Sequence, residues 1–257
     1  MKLVRYGIGG EVAYGALEGN GVIRRLAGSP FDSLVVGSDS DPIEQVRLLA
    51  PVEAPRIIGV GLNYVSHIKE SNQVAPTLPM LFMKHPSSVI GPGAPIVYPQ
   101  HAKKVDFEGE LAVIIGRRAR RVPEDRALEY VLGYTCANDV SERVVQLAEM
   151  KMGCLLVGKS FDTFCPLGPV IATGLDPAAL DLTTRLNGQV RQRINTSDLL
   201  FSVAKLVSYL SQAMTLWPGD VILTGTPSGV GPIQPDDIVE VEISGIGVLR
   251  NPVVAEN

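Results

Sequence analysis

Two glutamates one residue apart, Glu108 and Glu110, open the apolar run "VDFEGELAVIIG". In an extended strand, residues i and i+2 share a face, with Cα atoms roughly 6.5–7 Å apart. Two carboxylates at that spacing can converge on one cation. Without a cation they repel, and burial disfavours both charges. The bland reading is a strand end with two solvated acids. A third acid, Asp139, lies in "NDVSERVVQ", after a strand-like stretch and ahead of a helix-like one, with Arg143 and Gln146 three apart on one helical face. A guanidinium and an amide would then stand beside a carboxylate; the alternative is an ordinary helix capped by Asp139. Lys159 in "GKSFDTF" either faces solvent or points its ammonium into a carboxylate-rich cavity. His67 and Glu70 in "NYVSHIKE" stand at i, i+3, where a carboxylate can orient an imidazole and raise its basicity. The other histidines are His85 and His101, so imidazole chemistry comes from a set of three.

The elements that must carry these groups read mostly as strands. "KLVRYGI", "EVAYGAL" and "GVIRRL" are short strand-like pieces with Gly9-Gly10 and Asn20-Gly21 as turns. "GSPFDSLVVGSDSDP" reads as a loose connection, and "PVEAP" (51–55) as a boundary between a small N-terminal β domain, 1–52, and a larger one, 53–257. "RIIGVGLNY", "PMLFMKH", "EGELAVIIG", "GYTCANDV", "DVILTGTP" and "DIVEVEISGIGVLRNPV" are strand candidates, and "LTTRLNGQVRQRIN" predicts a hairpin on Asn187-Gly188. Helical patterns occur in "PEDRALEYVL", in "SERVVQLAEM" with Ser141 as N-cap, and in "FSVAKLVSYLSQAM", whose Val203, Leu206, Val207 and Leu210 form one stripe. "SHIKESN" is a helical turn or a loop. Strands outnumber helices without βαβ alternation, which predicts a mixed α+β, mainly β sandwich or roll.

Composition removes several function classes. The chain of 257 residues carries a formal charge of −4 and no basic stripe, which argues against nucleic acid as a partner. No apolar run reaches membrane-spanning length and the N-terminus shows no apolar secretion signal, so no membrane partner is expected. Cys136, Cys154 and Cys165 form no CxxC pair and read as reduced thiols of a cytoplasmic protein. "TGTPSGVG" and "GVGLNY" lack the Lys-Ser/Thr ending and the length of phosphate-binding loops; they read as tight turns along a pocket wall.

Taken in order, "GLNYVSHIKE", "PMLFMKHPSSVIGPG", "DFEGELAVIIG", "GYTCANDVSERVVQ", "GKSFDTFCPLGPVI", "NGQVRQRINTSDLLF" and "PGDVILTGTPSGVG" resemble the fumarylacetoacetate hydrolase family over about Pro55 to Val253. The resemblance implies a mixed β-sandwich roll, a homodimer, and a divalent cation: Mg²⁺ or Mn²⁺, with Ca²⁺ in some members. It implies that Glu108, Glu110 and Asp139 hold the cation. Arg143, Gln146 and Lys159 match positions around the oxyanion and the substrate carboxylate, and Lys159 joins His67 and Glu70 as catalytic groups. His67 and Glu70 match a water-activating pair on a lid, Lys84 a cavity lysine, and Thr226 a contact to the substrate carboxylate. Two departures stand out: Val60 occupies the place of a further metal-binding aspartate found in some larger relatives, and "MKMGCLLVGKS" lacks the tryptophan that many relatives carry before the lysine.

The implied activity is metal-dependent hydrolysis or lyase cleavage of a small 2-oxo or 1,3-dicarbonyl carboxylate, an acylpyruvate for example, or decarboxylation of oxaloacetate. An isomerase of the 2-hydroxyhepta-2,4-diene-1,7-dioate type would use the same site without a hydrolytic water. A non-catalytic binder would keep the metal and need no base, which the His67–Glu70 pair argues against.

Overall fold

In a computed structural model of the chain, which describes residues 1–256, three sheets surround the acidic centre. The strands along the largest are, in chain order, β1 (Lys2–Ile8), β2 (Glu11–Leu17), β3 (Val22–Leu26), β4 (Val36–Pro42), β5 (Ile57–Gly61), β6 (Met80–Lys84), β9 (Gly109–Ile115), β10 (Val131–Asn138), β12 (Cys165–Ala172) and β15 (Val221–Leu223). A second sheet comprises β8 (Val105–Phe107), β11 (Ser141–Glu142) and β16 (Gly231–Pro232). The third holds β7 (Ile96–Tyr98), β13 (Asp181–Leu186), β14 (Gln189–Asn195), β17 (Ile238–Ile243) and β18 (Gly247–Ala255). The mainly β roll expected from the strand-rich pattern is what the chain forms.

The spatial order of the largest sheet, β4-β3-β2-β1-β12-β10-β9-β15-β5-β6, joins the N-terminal strands to the rest. Lys2 and Leu3 of β1 pair with Ala172 and Ile171 of β12, so residues before Pro51 extend the sheet that carries the acids. The stretch expected to be a loose connection contributes β4: its Ser and Asp residues sit on an edge strand, where polar side chains discourage further pairing. Asp41 points inward from it.

Helices are few. α1 (Val65–Glu70) is a short turn of helix, and α2 (Arg143–Lys151) starts one residue later than expected. Ser141 does not cap α2. The cap is Glu142, whose carboxylate accepts the Val145 N–H at 2.6 Å, while the Ser141 hydroxyl donates to the Asp139 carbonyl at 2.9 Å. The "PEDRALEYVL" stretch forms a 3₁₀ segment, Glu124–Tyr130, before β10. α3 (Val203–Ala213) is capped by Ser202 and buries Val203, Leu206, Val207 and Leu210, each contributing about 1.5–3 kcal/mol by leaving water. Among the described residues no helix is long and apolar enough to cross a membrane.

Candidate active site

The acids meet where the chain changes sheets. Glu108 is the single residue between β8 and β9, so the expected i, i+2 pair within one strand is instead a crossing between two sheets. Asn138 Oδ1 accepts the Glu108 N–H at 2.9 Å, and the Glu108 carbonyl accepts the Asp139 N–H at 2.8 Å. Asp139 directly follows the last residue of β10. Carboxylate oxygens of Glu108, Glu110 and Asp139 all lie within 4.8 Å of one another, and all three residues are buried.

Three cations press on this cluster. Lys159 Nζ donates to Glu108 Oε2 at 2.7 Å and to Asp139 Oδ2 at 2.6 Å. Lys84 Nζ, behind Asp139, donates to its Oδ1 at 2.6 Å and to the Val140 carbonyl at 3.1 Å. Arg143 donates to Asp106 Oδ2 at 2.8 Å, to Gln146 Oε1 at 2.6 Å and to Glu108 Oε1. Of the four carboxylates, Asp106, Glu108 and Asp139 pair with these cations, Asp106 also with the exposed Lys104 at 3.8 Å, and Glu110 is left without a cationic partner. Its Oε2 accepts only the Gly225 N–H, at 2.7 Å. Burial, and then the neighbouring charges of Asp139 and Glu108, hold the Glu110 carboxyl well above the ordinary range. Burial also acts to raise Glu108, but Arg143 and Lys159 outweigh it and hold that group far below. Burial acts to weaken the Lys159 ammonium, and Asp139 and Glu108 overcome it, so the lysine stays charged. Hard oxygen donors with one charge left over fit Mg²⁺, Mn²⁺ or Ca²⁺ and not a soft metal.

The Lys159 turn is built by α2. The Glu149 carboxylate, buried under α2, accepts the N–H groups of Leu156, Val157 and Gly158 at 3.2, 2.7 and 2.9 Å. Gly158 is required by closeness: a Cβ there would lie 2.5 Å from the Gln146 nitrogen. Lys159 is therefore delivered into the acids, and the solvent-facing alternative is excluded by its 2% exposure. Its ammonium also lies 5.0 Å from the Phe82 ring centroid.

His67 lines the same cavity of about 350 Å³ as the acids, Arg143, Gln146, Lys159 and Thr226. His67 Nδ1 and Glu70 Oε2 are 3.5 Å apart, without a formed hydrogen bond; the Glu70 carboxylate accepts the Gly229 N–H at 3.1 and 3.2 Å. The Thr226 hydroxyl donates to the Gly109 carbonyl at 3.0 Å and accepts from Gln192 Nε2 at 2.8 Å, tying one wall of the site to β14. Val60 is buried against the cavity. Sequence reasoning missed Asp106, Glu149 and Gln192. Asp106 stands two before Glu108 in the acid-rich stretch and Glu149 three after Gln146 on α2, so both spacings carried a signal; Gln192, in a polar hairpin strand, carried none.

A family model described as fumarylacetoacetate (FAA) hydrolase C-terminal matches residues 56–254, and one described as Rv2993c-like, N-terminal matches residues 1–51. A crystal structure of 5-carboxymethyl-2-hydroxymuconate delta-isomerase from Mycobacterium smegmatis superposes with a TM-score of 0.92 at 48% identity, covering 100% of both chains. The structure of 2-hydroxyhepta-2,4-diene-1,7-dioate isomerase from Mycobacterium marinum gives 0.91 at 42% identity, covering 100% of this chain and 99% of the other. The mitochondrial oxaloacetate tautomerase Fahd2a of Rattus norvegicus is 42% identical over 83% of this chain and 71% of its own length.

Proposed function

The chain belongs to the fumarylacetoacetate hydrolase family, and from that premise we propose that it is a divalent-metal-dependent hydrolase or lyase. It cleaves a carbon–carbon bond in a small 2-oxo, 1,3-dicarbonyl carboxylate such as an acylpyruvate, or decarboxylates oxaloacetate. The observation that carries this reading is the surplus buried carboxylate, Glu110, in a cavity that His67 also lines.

An ion held by Glu108, Glu110 and Asp139 would supply a Lewis acid for a chelating 2-oxo carboxylate and offset the charge that cleavage develops. Arg143 and Gln146 orient the substrate carboxylate from α2, and Lys84 fixes Asp139 from behind. Thr226 reaches the carboxylate by turning its hydroxyl from the Gly109 carbonyl. His67, with the Glu70 carboxylate 3.5 Å from its Nδ1, takes a proton from water, whose oxygen adds to the distal carbonyl. The bond between that carbon and its neighbour breaks, its electrons pass into the 2-oxo fragment beside the Lys159 ammonium, and a proton returns to carbon. Positioned base catalysis of this kind contributes roughly 10²–10⁴-fold.

A second reading, keto–enol tautomerase or dioate isomerase, draws on the activities named for the relatives and on Glu70, which is bonded to Gly229 and not to His67. Turnover of acetylpyruvate by Mg²⁺- or Mn²⁺-loaded protein in ¹⁸O-water separates the two. Label in the released acetate is the expected result. Rearranged product without label supports the isomerase, and full turnover in excess chelator ends metal catalysis.

The homodimer belongs to this proposal as well. The outer face of α2 and the turn packed on it expose Val144, Met152, Leu156 and Val157, apolar area that a second copy would cover. A sedimentation mass near 27.5 kDa at micromolar concentration would remove it. A reducing, cytoplasmic setting fits the three free cysteines; burial pushes the Cys165 thiol up to about 12.

A further inference from the structure

Two walls of the cavity change character with distance from the acids. On β6, Lys84, Phe82 and Met80 alternate inward while Leu81 and Met83 stand outside. Lys84 grips Asp139, the Phe82 ring lies under Lys159, and Met80 lines the cavity about 13 Å along the strand from Lys84. On α2, Arg143 and Gln146 stand at the acids, while Leu147 and Met150 line the cavity farther on, Met150 about 10 Å along the axis from Arg143. Both elements have their polar end at the acidic cluster and lead away from it towards thioethers and aliphatic carbon.

Among the described residues, the basic side chains lining the cavity are His67, Arg143 and Lys159. Arg143 and Lys159 are each already held by two carboxylates of the cluster. No uncommitted cation waits at the apolar end, where a second substrate carboxylate would have to shed water without a partner. Resting on the reading above, we infer that the substrate carries an uncharged, apolar acyl group at the end remote from its 2-oxo carboxylate. Met80, Leu147 and Met150 determine that specificity. A four-carbon diacid such as oxaloacetate is short enough to stay at the polar end and leaves this wall unused.

The test is calorimetric binding to full-length, Mg²⁺-loaded protein, with turnover followed in parallel. The probes are acetyl-, butanoyl- and hexanoylpyruvate and a dioate whose acyl chain matches the hexanoyl compound in length but ends in carboxylate. Affinity is expected to rise about fourfold per added methylene until the wall is filled, with the dioate at least about tenfold weaker than its alkyl counterpart. Met150→Lys, at a half-exposed position of α2, should reverse the alkyl-over-dioate order, a result that general loss of structure would not give. Alkyl-favoured binding without turnover supports the inference and ends the hydrolase or lyase reading. Dioate-favoured binding with turnover overturns the inference and leaves that reading standing. Absence of binding by every probe overturns both.

Discussion

Two of the places where the protein buries carboxylates are built on opposite plans. In the N-terminal strands, Asp41 accepts the Tyr6 hydroxyl at 2.6 Å and two guanidinium bonds from Arg25 at 2.7 and 3.1 Å. One acid meets one cation, and a phenol closes the remaining angle. Arg25 and Tyr6 hold the Asp41 carboxyl below its ordinary range, and burial, followed by the contact with Asp41, drives the Tyr6 hydroxyl up. In the centre, four acids meet three buried cations and Glu110 is left with one backbone N–H. A matched cluster holds strands together; an unmatched one leaves binding capacity for an ion. The contrast separates structure from function more sharply than burial does, since the acids of both sets are buried.

Glu110→Gln should break the contrast most completely. It keeps the Gly225 bond, matches the acids to the cations and removes a ligand, so Mg²⁺ affinity should fall by more than about a hundredfold and metal-dependent turnover should vanish. Without the ion the variant should melt no lower than the parent, because a buried carboxyl without a cation partner has gone; a clearly lower Tm would show that Glu110 is a structural group. His67→Gln should reduce kcat about 10²–10⁴-fold with Mg²⁺ affinity intact, read by calorimetry beside steady-state kinetics. Mg²⁺ at a hundred times its dissociation constant should stabilise the protein by about 2.7 kcal/mol, reversed by chelator. Asp41→Asn should lower stability by about 1–3 kcal/mol in urea melts, with the Mg²⁺ increment and turnover unchanged. Asp41 also sets a pH signature. Its folded value is lowered, so its contribution is complete above the ordinary carboxylate range and fades as pH falls through the folded value. Asn at this position should flatten that acid limb, and an unaltered limb would place the titration elsewhere.

Much of the centre was legible because its chemistry is local. Asp139 ends a strand, Arg143 and Gln146 share a helical face, and Lys159 follows a glycine that only close packing explains. The rest depends on contacts remote in sequence. β4 was unreadable as a strand because its Ser and Asp residues satisfy an edge position, where burial imposes no apolar alternation. The α2 cap was misplaced because Ser141 and Glu142 are both able caps, and only the pairing of residues 141–142 with β8 decides between them. Glu108 read as a strand residue because its neighbours are strand formers, yet the chain changes partners there, and pairing partners are not written in local periodicity. Gln192 reaches the site from a hairpin more than eighty residues away from the Gly109 amide it accepts.

The crossing at Glu108 has a mechanical side. That residue belongs to neither sheet, Glu110 rides on one strand, and Asp139 hangs from the end of another. An ion gripped by all three would act as a rivet through the seam between the layers, and its loss would loosen the joint before it loosened either layer. Amide hydrogen exchange should therefore quicken first at residues 107–109 and 138–141 when the metal is stripped, while the middle of β10 stays protected.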